Sequence, residues 1–164
     1  MLYPFSALLA RMKYITRWSL MHSTRAESLS EHTCDTALLA HTLCLIARQY
    51  TGTPCRPKTV AVAALYHDAP EIITGDMPTP VKYHSEEIRR AYGEVEDMAV
   101  EHLVSMLPEE LREEYRKIMT MNGPQDEALH PLVKAADKIS AVIKCVEERI
   151  SGNRDFSKAE QTIT

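Results

Sequence analysis

The sequence predicts an all-α domain. Three observations carry this. Glycine is scarce, with five in 164 residues. Strand-like alternation is hard to find. Several apolar-periodic stretches each begin at a capping residue or a proline. A chain of this length forms one domain, residues 1–164, with enough interior for a real core.

The elements follow in order. Residues 5–14 read as a short first helix and 15–29 as irregular chain. A strong helix is expected over about 30–50, N-capped by Ser28 or Ser30. Ser28 stands three residues before Glu31, the capping-box spacing. Pro57 opens a helix to about 67 at a first-turn position, and a stiff polar loop with Pro78 and Pro80 follows. Ser85 caps a helix to about 106, with Glu86 and Glu87 well placed for its dipole. Pro108 opens another to about 121, stopped by Asn122-Gly123-Pro124. Asp126 caps the next, about 127–151, which Gly152-Asn153 ends. "FSKAEQTIT" then begins one more helix.

Composition excludes several classes. Apolar residues at 45% and charged residues at 26% are ordinary for a globular protein. A net charge of -4 argues against coating nucleic acid. The four cysteines have no CxxC spacing and read as reduced thiols in a cytoplasmic chain. The N-terminus lacks a basic n-region, and no apolar run is long enough to span a membrane.

"LYHDAPEIITGDMPTP" (65–80) places an imidazole beside a carboxylate where an apolar helix ends. Neighbouring helical side chains diverge by about 100°. They converge on one small target only near a helix end, or on an ion that accepts ligands from wide angles. Imidazole with carboxylate suits one divalent transition metal: zinc, manganese, iron, cobalt or nickel. An HD pair also occurs as a plain helix end. His32, in the first turn of the 30–50 helix, and Asp137, mid-helix in "LVKAADKISAVIKC", are further candidates. Aspartate is a poor mid-helix residue and needs a partner if buried. Read alone, His32 is a helix-start histidine, and Asp137 a flank residue pairing with Lys134 or Lys138. His22, His41, His84, His102 and His130 stay outside the site.

His32, His67-Asp68 and Asp137 together resemble the H…HD…D signature of the HD-domain metal-dependent phosphohydrolases. "TRWSLM" (16–21), "RAESLSEH" (25–32), "YHDAPEIITGDMPTPVKY" (66–83) and "KAADKISAVIKCVEE" (134–148) resemble the YfbR-type bacterial 5'-deoxynucleotidases. The resemblance implies a helical HD-domain bundle with a single buried metal site held by His32, His67, Asp68 and Asp137. It implies metal-dependent hydrolysis of deoxyribonucleoside 5'-monophosphates by a homodimer. Glu71, Arg17 and Asp68 would carry the chemistry. Glu71 would orient water or protonate the leaving 5'-oxygen. Arg17 would hold the phosphate. Trp18 would lie against the sugar, where an indole could exclude a 2'-hydroxyl. Asp76, Met77, Pro78 and Thr79 would line the substrate pocket. Away from the resemblance, Trp18 is equally a core anchor and Gly75-Asp76 a plain helix stop.

Two departures stand out. Family members usually continue beyond the position of Thr164 with more C-terminal helix. Ser19 stands where a proline is common, which predicts a less rigid Arg17–Trp18 loop. The alternatives are an HD hydrolase acting on a triphosphate, cyclic nucleotide or alarmone, or a catalytically silent metal-bound sensing domain.

Overall fold

The computed structural model describes residues 3–121 and 127–163. Among the described residues nine α-helices follow one another: α1 (Tyr3–Leu9), α2 (Leu29–Ile46), α3 (Pro57–Tyr66), α4 (Glu71–Thr74), α5 (Thr79–Lys82), α6 (Glu86–Ser105), α7 (Glu109–Thr120), α8 (Leu129–Ile150) and α9 (Ser157–Ile163). Among the described residues the only β-type pairing is an isolated antiparallel bridge between Thr16 and Ser28. The expected stop at Asn122-Gly123-Pro124 and the Asp126 cap lie outside the described residues.

Local chemistry sets most boundaries. The α2 N-terminus is a complete capping box: Ser28 Oγ accepts from Glu31 N, and Glu31 Oε2 accepts from Ser28 N at 2.8 Å. This settles the cap on Ser28 and sets His32 one turn into the helix. The expected helix to about 50 ends earlier as regular α, at Ile46. A π-type turn, Ala47–Thr51, continues it to Gly52, whose φ of 68° needs no Cβ. Similarly, the first expected helix tightens into 3₁₀ turns over Ala10–Tyr14. Ser85 caps α6 through Ile88 N, as expected. The loop after His67-Asp68 is more helical than the sequence predicts, because Glu71–Thr74 and Thr79–Lys82 each close a short turn.

The cores explain which helices meet. α2, α3 and α8 pack through Ala37, Ala40, Ala63, Ala64 and Ala136, with Cys44, Val60 and Val133 filling the gaps. Alanine side chains let helix axes approach closely. A second core joins Phe5 of α1 to Val100, Leu103 and Val104 of α6 and to Met119 of α7. Met12, Leu29 and Ile72 form a third, between the first segment, the start of α2 and α4.

The chain from Ile15 to Ser28 forms no helix, and apart from the Thr16–Ser28 bridge it is held by single bonds. Leu29 N donates to Ile15 O at 2.8 Å and Arg17 N to Glu27 O at 3.0 Å. Its far end is pinned to α8 by Glu148, 1% exposed. That carboxylate accepts from Thr24 N (2.9 Å), Thr24 Oγ1 (2.8 Å), Asn153 Nδ2 (2.8 Å) and the Lys144 ammonium. Lys144 also donates to Arg25 O at 2.6 Å. Burial pushes the Glu148 carboxyl upward, but the Lys144 ammonium and the other donors outweigh it and hold it well below the usual carboxylate range. A buried charge stripped of one partner is costly. Glu148→Ala should therefore lose about 3–5 kcal/mol, read as a fall in Tm of about 10 °C by calorimetry. A shift within about 2 °C would contradict this role.

Candidate metal and phosphoester site

Three helices deliver the polar cluster. His32 comes from the first turn of α2, is fully buried, and is the cluster's deepest member. His67 is the C-cap of α3, and Asp68 follows it in the turn to α4. Asp137 comes from the middle of α8, one residue after the fully buried Ala136. His32, His67 and Asp68 offer ligand atoms that all lie within 4.8 Å of one another. Asp137 Oδ1 stands 3.1 Å from His32 Nε2, so the structure brings together all four residues singled out from the sequence. His22, His41, His84, His102 and His130 are exposed, as their exclusion required.

The donor chemistry of this cluster fits a divalent cation. His67 Nδ1 donates to Ala64 O at 2.7 Å, so Nε2 is left as the lone-pair nitrogen. That Nε2 is buried without a hydrogen-bond partner, and it faces Asp68 Oδ2 at 3.1 Å. Two acceptors face each other there, which is unfavourable unless a positive charge lies between them. Burial works to lower the His67 pKa, but the Asp68 charge overrides it and raises it. Burial likewise pushes Asp137 upward, but the hydrogen bond from His32 pulls it lower. A cation satisfies the same electrostatics without a proton. On the other side of the cluster, His32 Nδ1 lies 2.8 Å from Arg17 Nη1 and 3.2 Å from Ser140 Oγ. Arg17 Nη1 can only donate, so His32 Nδ1 accepts from it and the ring proton sits on Nε2, facing Asp137 Oδ1; Nε2 becomes a ligand only when that proton moves to Nδ1 and the Arg17 contact opens, leaving Ser140 Oγ as acceptor.

Glu71 opens α4, one short turn beyond Asp68: Glu71 N donates to Asp68 O at 3.0 Å. The helix thus restarts at Glu71. Its Oε2 is buried without a partner. Burial, then the charges of Asp68 and Asp76, push its carboxyl up to about 9 against the pull of Arg17 and Lys82. A carboxyl in that state keeps its proton at neutral pH, and it can donate.

Arg17 and Trp18 sit on the irregular segment beside the cluster. Arg17 Nη1 donates to Glu27 Oε2 at 2.9 Å, Nη2 lies 3.9 Å from Asp137 Oδ1, and Nε is buried without a partner. Trp18 adopts φ 59°, a left-handed conformation that costs a bulky residue about 1–2 kcal/mol. Several contacts hold it there. Its N–H donates to Asp76 Oδ2 at 3.1 Å, its indole N–H to Glu27 Oε2 at 3.0 Å, and its ring packs 5.2 Å from the buried Phe156. Asp76 thus braces the tryptophan backbone and also follows the helix stop at Gly75, φ 73°. Met77 and Pro78 are half-buried in the connection to α5, and Thr79 is exposed at its start.

Sequence reasoning missed Glu27, Ser140 and Phe156. Glu27 lies inside the quoted "RAESLSEH" and Ser140 inside "KAADKISAVIKCVEE", but a loop glutamate and a helical serine carry no periodic signal.

The chain matches the family described as 5'-deoxynucleotidase YfbR-like over residues 4–164. A 5'-deoxynucleotidase of Vibrio vulnificus is 44% identical over 159 residues, which cover 97% of this chain and 81% of that protein. An HD-domain phosphohydrolase from Listeria innocua has the same fold, with a TM-score of 0.84 at 21% identity over 99% of this chain and 77% of the other. A cyanophage S-2L HD phosphohydrolase, solved bound to dA and one catalytic Zn2+ ion, gives 0.62 at 24% identity, covering 85% of this chain and 69% of that one.

Glu71 makes stability depend on pH. Its pKa rises from 4.5 when exposed to about 9 in the fold. Between those values the folded protein holds a proton that the unfolded chain has released, so stability falls as pH rises through that window. In metal-stripped protein, Glu71→Gln should remove this slope. The variant should gain Tm relative to the parent steadily from about pH 5 to about pH 9. Parallel Tm curves would contradict the raised pKa.

Proposed function

The chain belongs to the YfbR-like 5'-deoxynucleotidase family, and from that premise we propose that it hydrolyses deoxyribonucleoside 5'-monophosphates to deoxynucleoside and phosphate. The observation that carries this reading is the pairing of the His32–His67–Asp68 cluster with Glu71, whose Oε2 is buried without a partner one short turn beyond Asp68.

In this reading His32, His67, Asp68 and Asp137 hold one divalent transition metal. The mixed nitrogen and oxygen donors suit cobalt, manganese, zinc, nickel or iron. A bound ion there supplies Lewis acidity to the phosphoryl group and makes water more acidic. The protein's own residues do the rest. Arg17 turns its unpartnered Nε and its guanidinium edge to the phosphate oxygens. Water attacks phosphorus, the P–O5' bond breaks, and Glu71 Oε2 gives its proton to the departing 5'-oxygen. The other role open to Glu71 is to orient the attacking water. Trp18 stands against the sugar and leaves no room for a 2'-hydroxyl. Asp76, Met77, Pro78 and Thr79 form the facing wall. The reading also includes a homodimer, which rests on the family resemblance. A cytoplasmic setting rests on the four free thiols. No helix among the described residues is long and apolar enough to cross a membrane.

Phosphate release tests this. Metal-stripped protein re-supplied with cobalt, manganese, zinc or magnesium should release phosphate from deoxynucleoside 5'-monophosphates and lose activity without metal. Glu71→Ala should lower kcat by about 10²–10⁴-fold. Trp18→Ala should narrow the gap between dAMP and AMP, and an unchanged ratio would sink the indole's role. Silence with every monophosphate despite bound metal would turn the reading to a triphosphate, cyclic nucleotide or alarmone, or to a sensing domain.

A further inference from the structure

We propose that Glu27 is a positioning residue that fixes Arg17 and Trp18 as one unit and thereby sets selectivity for the deoxyribose. One oxygen does both tasks. Glu27 Oε2 accepts from Arg17 Nη1 at 2.9 Å and from Trp18 Nε1 at 3.0 Å. The carboxylate is nearly buried, with 12% of its side chain exposed, so both bonds are made where water competes poorly. The backbone repeats the link, since Arg17 N donates to Glu27 O at 3.0 Å beside the Thr16–Ser28 bridge.

The indole needs such a clamp. Trp18 lies in a left-handed conformation that its own backbone disfavours. Asp76 braces its N–H and Phe156 backs its ring, but only Glu27 holds the ring's polar edge among the described contacts. The Arg17 guanidinium lies 5.7 Å from the centre of the same ring. A shift of the Glu27 oxygen therefore moves the phosphate-facing cation and the sugar-facing wall together. Glu27 touches neither substrate nor metal ligand in this arrangement; it acts through the two residues it holds.

The selectivity half rests on the deoxynucleotidase reading, and the test separates the two. Glu27→Gln keeps the shape and removes the charge. Trp18 is the only tryptophan in the chain, so intrinsic fluorescence reports its surroundings directly. In Glu27→Gln the emission should shift to the red and acrylamide should quench it more readily. The KM for dAMP should rise, and the dAMP-to-AMP ratio of kcat/KM should narrow by about tenfold, the worth of one charge-assisted hydrogen bond. Metal content should stay at the parent value. In Trp18→Phe, which lacks the indole N–H, adding Glu27→Gln should narrow the ratio no further. Parental emission and quenching in Glu27→Gln would overturn the clamp. So would a loss of rate for dAMP and AMP alike with the ratio intact. A parent protein silent on both nucleotides would fail the deoxynucleotidase reading and the selectivity half with it, while the emission comparison still judges the clamp.

Discussion

An imidazole lone pair and a carboxylate oxygen 3.1 Å apart in a buried site repel each other unless positive charge lies between them. His67 and Asp68 are adjacent in sequence and are held in that opposition by the end of α3. The rest of the architecture serves to sustain it. The His67 ring is locked by its bond to Ala64 O, so it cannot turn its other nitrogen inward. Alanines at 40, 63, 64 and 136 bring α2, α3 and α8 close enough for His32 and Asp137 to reach the same point. The capping box at Ser28 fixes where α2 begins, and hence which residue of its first turn looks inward. A larger side chain at Ala64 or Ala136 would separate the helices and dissolve the cluster.

Around this centre lie two groups with opposed electrostatic demands. Glu71 is pushed toward neutrality by burial and by the charge of Asp68, while Arg17 stays charged and is tethered by Glu27. The two groups act on each other, since the Arg17 charge pulls the Glu71 carboxyl down against burial and Asp68. The irregular segment from Ile15 to Ser28 is anchored twice, by the isolated bridge between Thr16 and Ser28 and by the Lys144–Glu148 pair on α8. A third tie is the bond from Trp18 N to Asp76 Oδ2.

Much of this was legible in the sequence. Capping serines, N-terminal prolines and stop glycines announce helix ends locally, so the long helices were placed to within a few residues. His32, His67, Asp68 and Asp137 were legible as a set through their resemblance to the H…HD…D signature; read alone, His32 is a helix-start histidine, His67-Asp68 a plain helix end and Asp137 a flank residue. The rest depended on contacts made through space. The π-type turn at Ala47–Thr51 and the short helices α4 and α5 are too brief to carry a period. Glu27 in a loop resembles any exposed glutamate, and only the fold places its oxygen between Arg17 and Trp18. The same holds for Phe156, ordinary in sequence yet fully buried behind the tryptophan ring. Asp76 was expected beside the substrate, and its bond to the Trp18 backbone could not be foreseen from a Gly-Asp pair that also reads as a helix stop.

In the proposed metal centre, four side chains from three parts of the chain meet on one ion. Titrating metal-stripped protein with cobalt(II) and following its visible absorption tests this most directly. Saturation at one ion per chain is expected, with His67→Ala and Asp137→Ala each abolishing tight binding. Saturation unaffected by either substitution, or no binding to the parent, would contradict it.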